Sequence, residues 1–134
     1  MPDRKTISDS LIPRMYNDTK EVIFKSYQKL MRCADWWTSI NNQSFTAITA
    51  HFNDDDKGKH MFKSYLLGCI PFDERHTTKN LSDQLKIQAN EWGISNKITC
   101  IISDNASNIT AAIRITTWRF LPCYAHTLNL VLQA

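Results

Sequence analysis

Two aspartates carry most of the chemistry this sequence can offer. Asp35 closes a short apolar run and is followed by Trp36, Trp37, Thr38 and Ser39. Asp104 closes another and is followed by Asn105, Ala106, Ser107 and Asn108. Carboxylates are hard oxygen ligands, and two of them brought together by neighbouring strands form a site for Mg²⁺. Further along, Cys123-Tyr-Ala-His126 adds a thiol and an imidazole, and Trp118-Arg119-Phe120 mixes residue types that stack on bases and bind phosphates. Each group also has an ordinary structural explanation. Asp35 suits a strand-end turn and Asp104 a helix N-cap. Cys123 suits a small core position, His126 a backbone-bonded helix start, and Trp118 a packed core ring. Only their conjunction on one scaffold separates the two sets of explanations.

The bulk properties bound that scaffold. A chain of 134 residues makes one domain that buries roughly two thirds of its unfolded surface. A hydrophobic fraction of 43%, 22% charged residues and only three glycines argue against a disordered tail. The net charge of +3 permits nucleic-acid contact without demanding it. Cys33, Cys69, Cys100 and Cys123 stand far apart with no Cys-x-x-Cys pair, so neither a zinc ribbon nor a secreted disulfide scaffold is expected. They are expected to be reduced, buried thiols of a soluble intracellular protein. The N-terminus has no apolar leader, no stretch reaches membrane-spanning length, and no membrane partner is expected.

The elements that must position the aspartates follow from periodicity. Residues 1–17, broken by Pro2 and Pro13, are expected to be an irregular lead-in to a domain over 18–134. Asp18-Thr-Lys-Glu21 has capping-box spacing and opens a helix over 18–29. Strands are expected at 30–37, 44–52 and 61–72, joined by short polar turns into an antiparallel meander. The acidic turn at 53–59 is a hairpin tip with Gly58 at positive φ; a calcium loop would need an acid where Tyr65 stands. Leu81, Leu85, Ala89 and Trp92 mark a helix over 78–92, stopped by Gly93. A β-branched strand at 97–103, a helix at 105–118, a short strand at 119–123 and a last helix at 124–134 complete the order.

That order, a three-stranded antiparallel meander followed by α-β-α-β-α, is that of the α/β ribonuclease H-like fold with a mixed five-stranded sheet. The crossover helix returns the fourth strand parallel to the first. Asp35 and Asp104 then fall at the same end of adjacent strands, where ligands gather in open α/β sheets.

Several stretches, in order, resemble the catalytic domain of hAT-family DNA transposases and their descendants associated with BED-type zinc fingers. They are Trp37-Thr-Ser39 with Ser44 to Phe52, Leu67 to Phe72 with Glu74 to Thr77, Ile101 to Ile109, and Cys123 to Leu130. The resemblance implies that Asp35 and Asp104 are catalytic residues holding Mg²⁺ or Mn²⁺. It implies that His126 belongs with them and that Cys123 and His126 lie near the DNA strand; by residue type alone, Trp118 and Arg119 are further DNA-proximal candidates. It further implies a nuclear location and transposon-end DNA, not a small molecule, as partner. Cys33-Ala34 replace the threonines common before the first aspartate. The family's third acid, a late glutamate, does not occur in this sequence, nor do the BED finger and the C-terminal dimerisation region. The expectation is a C-terminally truncated catalytic-domain fragment that does not cleave or join DNA alone and holds metal weakly, if at all. The alternative is a domesticated DNA- or protein-binding module. The terminal Leu128, Leu130, Val131 and Leu132 cannot all face one core, so self-association through the last helix is also expected.

Overall fold

A computed structural model describes residues 3–25, 30–56 and 58–133 of the chain. The meander consists of β1 (Leu30–Thr38), β2 (Ser44–Asp56) and β3 (Lys59–Pro71), paired antiparallel with Asp35 opposite Ala47 and Ala50 opposite Tyr65. β2 and β3 run past their expected ends into the acidic stretch, where Lys63 pairs with Asp54 across the hairpin and Gly58 turns at φ +79°. Period-two alternation gives the meander two unlike faces. Ala34, Thr46, Ile48, Ala50, Phe52 and Leu67 are buried, whereas their neighbours Asp35, Trp37, Asn53, Phe62 and Ser64 are exposed.

The buried face is covered by α3 (Thr78–Glu91) and α4 (Ser107–Ile115). The Thr77 side chain caps α3 by accepting from the Asn80 N–H at 3.2 Å, and Gly93 ends it at φ +63°. Leu81, Leu85 and Ala89 are fully buried beneath it, with Trp92 closing the cluster. Following α3, β4 (Ile98–Ser103) enters beside β1 and runs parallel to it; after α4, β5 (Arg119–Pro122) runs parallel to β4. The sheet order β3-β2-β1-β4-β5 is the mixed five-stranded sheet expected from the sequence. α4 is shorter than its apolar pattern suggests. The Thr116 hydroxyl donates to the Ile113 carbonyl at 2.6 Å, and Thr117 adopts φ +72°, which turns the chain out of the helix.

The N-terminal expectation needs correction. Residues 4–25 are helical throughout: α1 (Arg4–Thr6), a π-helical turn at Ile7–Leu11, and α2 (Ile12–Lys25). The cap is Asp3, whose Oδ1 accepts from the Thr6 N–H at 2.7 Å, not Asp18, which stands mid-helix beside Arg14. Pro13 lacks an N–H, and the wider π turn just before it accommodates the missing helical bond. The apolar side of α2 lies against the fold, with the Tyr16 ring edge-on to Trp92 at 5.1 Å between centroids and Ile23 fully buried. The helix predicted to continue through 26–29 there passes outside the described residues.

The cysteines also divide. Burial pushes the Cys100 thiol above its ordinary range, against the opposing charge of Arg119. Cys69 is exposed on β3, because that strand is the sheet edge, contrary to the expectation of burial. The Cys33 side chain lies outside the described residues.

Because α3 forces β4 back beside β1, its central leucine should matter more than any surface residue. Leu85→Ala is expected to cost about 2–5 kcal/mol in urea denaturation, the range for an apolar core truncation. A loss below about 1 kcal/mol would mean that α3 does not pack as described.

Candidate metal centre

The site is built by strand register. On the parallel pair, Cys33 stands opposite Ile102. Two residues further along come Asp35, on β1, and Asp104, the first residue past β4, so the two aspartates stand at the same level on neighbouring chain segments about 4.8 Å apart. A cleft of about 250 Å³ opens there, lined by Ala34, Asp35, Ile102, Ser103, Asp104, Cys123 and His126. Four residues singled out in the sequence thus share one cavity.

Each is held differently. Asp35 is exposed on β1, three residues before the strand ends, and no hydrogen bond or ion pair engages its carboxylate among the described residues. Asp104 is half-buried, and its Oδ1 accepts from the Ala106 N–H at 3.3 Å, an Asx turn that leaves Oδ2 uncommitted. Asp104 is therefore not the cap of α4; that position is Ala106, whose side chain makes no capping bond. The Cys123 N–H donates to the Ser103 carbonyl at 2.8 Å, extending the β4–β5 ladder by one residue and carrying the chain into α5 (Tyr124–Gln133). His126 sits in the first turn of α5, half-buried against the cleft.

A small hydrogen-bonded bridge fixes that turn. Asn105 Nδ2 donates to Thr127 Oγ1 at 3.3 Å, and Thr127 Oγ1 donates to the Cys123 carbonyl at 3.0 Å. Neither Asn105 nor Thr127 stood out as a site residue in the sequence. Their signal was only that each immediately follows a candidate, Asn105 after Asp104 and Thr127 after His126.

Two sequence candidates are not brought to the cleft. Arg119 pairs with Cys100 at the start of β4, and β4 carries the chain from there to the cleft at its other end. Four residues of strand span roughly 13 Å. Trp118 is anchored at that far end, its indole N–H donating to the Ser95 carbonyl at 3.1 Å while the ring packs against the core. Its packing is structural. The alternative acids are elsewhere too. Glu74 is exposed in the loop after β3, and Glu91 accepts from Gln88 Nε2 at 2.8 Å at the end of α3.

The donor set suits a hard cation. Two carboxylates can supply two oxygen ligands to Mg²⁺, which ordinarily keeps several of its waters. Among the described residues no group of three or more His, Cys, Asp or Glu is arranged to hold a metal ion, so a closed tetrahedral cage does not fit.

The family described as the ZBED1 RNase-like domain matches residues 33–121, well over half of the chain, from within β1 into β5. The chain belongs to this family. Zinc finger BED domain-containing protein 6 of Mus musculus is 26% identical over 99% of the chain, which covers 15% of that protein. The putative transcriptional regulator tpeD of Talaromyces stipitatus is 30% identical over 99% of the chain and 17% of its own length. The putative AC transposase of Zea mays is 28% identical over 82% of the chain and 13% of its own length. The chain thus spans less than a fifth of these relatives. It is a transposase-derived, ribonuclease H-like domain with hAT kinship, as its motifs implied.

The two aspartates should differ in what they contribute to folding. Asp35→Ala is expected to change stability by no more than about 0.5 kcal/mol, as for a surface residue without partners. Asp104→Ala should cost about 0.5–1.5 kcal/mol through the lost bond to Ala106. Chemical denaturation of both variants checks this; a larger loss at Asp35 would make it a structural turn residue.

Proposed function

We propose that this chain is the aspartate-bearing part of an hAT-type transposase catalytic domain, binding a divalent cation weakly and contacting DNA but not cutting it alone. The observation that carries this reading is the meeting of Asp35, Asp104, Cys123 and His126 in one cleft at the carboxyl ends of β1 and β4. Asp35 and Asp104 would hold Mg²⁺ or Mn²⁺. The bound ion would supply Lewis-acid stabilisation at a phosphodiester. Cys123 and His126, on the other wall, would lie along the DNA strand. Transposon-end DNA is the partner and the nucleus the location that fit this chemistry. Among the described residues no helix is long and apolar enough to cross a membrane.

Inactivity follows from the donor count. Strand cleavage by two metals needs carboxylates for both ions, and the cleft presents two aspartates while Glu74 and Glu91 stand elsewhere. A second reading, a domesticated DNA- or protein-binding module, is favoured by the relatives described as a BED zinc finger protein and a putative transcriptional regulator. Under either reading α5 adds another proposed partner, a second copy of this chain, through its exposed leucines.

The test is a nicking and strand-transfer assay on duplex DNA with Mg²⁺ or Mn²⁺, run beside Asp104→Ala to separate contaminating nucleases. The expected result is no cleavage above the variant's background together with metal-stimulated DNA retention. Cleavage that Asp104→Ala abolishes would show an active nuclease and overturn the inactivity.

A further inference from the structure

One wall of the cleft is the first turn of α5, yet packing does little to hold it there. None of the residues of α5 is buried, although His126 lines the cavity together with Asp35 and Asp104. Burial of an apolar side chain is the strongest means of fastening an element, and α5 lacks it.

The fastening lies in a closed ring of hydrogen bonds around Asp104. The Cys123 N–H donates to the Ser103 carbonyl at 2.8 Å. The Cys123 carbonyl in turn accepts from the Thr127 hydroxyl at 3.0 Å and from the Thr127 N–H at 3.0 Å. Thr127 Oγ1 accepts from Asn105 Nδ2 at 3.3 Å, and Asn105 leads back through Asp104 to Ser103. One hydroxyl gives its proton to one partner and a lone pair to another, so each bond polarises the next. A threonine bonded to the carbonyl four residues back is ordinary in helices and by itself means little. The Asn105 bond is different: it joins residues 22 apart in sequence and ties one wall of the cleft to the other.

The ring encloses the segment that carries Asp104. Oδ1 of that aspartate is held by the Ala106 N–H at 3.3 Å, and its carbonyl accepts from the Ser103 hydroxyl at 3.1 Å. Backbone and one carboxylate oxygen are thus fixed before any ligand arrives. His126 immediately precedes Thr127, so the ring that fixes Asp104 also sets where the imidazole meets the cleft.

We propose that Asn105 and Thr127 are positioning residues, whose bond holds His126 at a set separation from Asp104 and so fixes the width of the cation cleft. This rests on the cation site proposed above and assigns what keeps its second wall in place. Neither residue lines the cleft; they act through Asp104 and His126.

Three variants of the full chain test the role. Thr127→Val keeps the branched shape without the hydroxyl, and Asn105→Ala, at an exposed position, removes the donor alone. Thr127→Ser restores the hydroxyl without the methyl group. In metal-free protein, hydrogen exchange of the Thr127 amide should quicken about two- to tenfold in Thr127→Val and Asn105→Ala, as for one ordinary hydrogen bond lost. Thr127→Ser should stay near wild type. With substoichiometric Mn²⁺, every variant should keep the broadening around Asp35 and Asp104, while that of His126 weakens in Thr127→Val and Asn105→Ala only. A general loss of stability would not separate His126 from Asp104 in this way. Unchanged exchange in Thr127→Val and Asn105→Ala overturns the tether whatever the metal does, and unchanged broadening of His126 overturns the positioning. Thr127→Ser behaving like Thr127→Val would assign the effect to the methyl group and overturn it too. Absence of broadening around Asp35 and Asp104 in wild type would sink the cation site itself, while faster exchange in the two variants would still show that the ring holds α5.

Discussion

The parallel pairing of β1 with β4 is the constraint on which the rest depends. β1 belongs to a local meander that its own turns could build, but β4 arrives only after the chain has crossed the sheet through α3. That crossing is driven by burial of Leu81, Leu85, Ala89 and Trp92 against Ile48, Ala50 and Leu67. Fully burying a side chain of leucine size contributes about 1.5–3 kcal/mol, far more than any hydrogen bond at the cleft. Packing on the covered face therefore sets the register on which the carboxylates meet. The aspartates follow from this geometry and do not create it.

The cleft has the opposite character. Its residues make few bonds through their side chains: that of Asp35 none among the described residues and that of Asp104 one long contact, while Cys123 is tied through its backbone N–H and carbonyl. Polar groups left free at the end of a rigid sheet are poor stabilisers and good ligands. Kinship with a transposase and with BED zinc finger proteins fits this division. The hydrophobic frame is kept by the needs of folding, while the chemistry at its rim can be retained or lost without the fold noticing.

Much of the frame was legible in the sequence because it is written in period. The alternation in β2, the β-branched run of β4, the stripe of α3 and the positive-φ glycines at 58 and 93 each mark their elements locally. The placement of Asp35 beside Asp104 followed from topology alone. Two features were hidden. Pro13 reads as a break, yet a π turn absorbs its missing N–H and the helix runs from Arg4 onward. Trp118 and Arg119 lie close to Cys123 in sequence, but the four residues of β5 carry the chain roughly 13 Å between them. Nearness along a strand is distance in space.

The central claim is that Asp35 and Asp104 act as one cation site, and amide line broadening by substoichiometric Mn²⁺ in a ¹⁵N-resolved spectrum tests it most directly. Paramagnetic broadening falls steeply with distance, so one bound ion should broaden the signals around Asp35, Asp104 and His126 together at the lowest additions. Asp104→Asn should restore the signals near Asp35 as well as its own. Broadening confined to the acidic hairpin tip near Asp54, or signals near Asp35 and Asp104 that respond independently, would contradict the account.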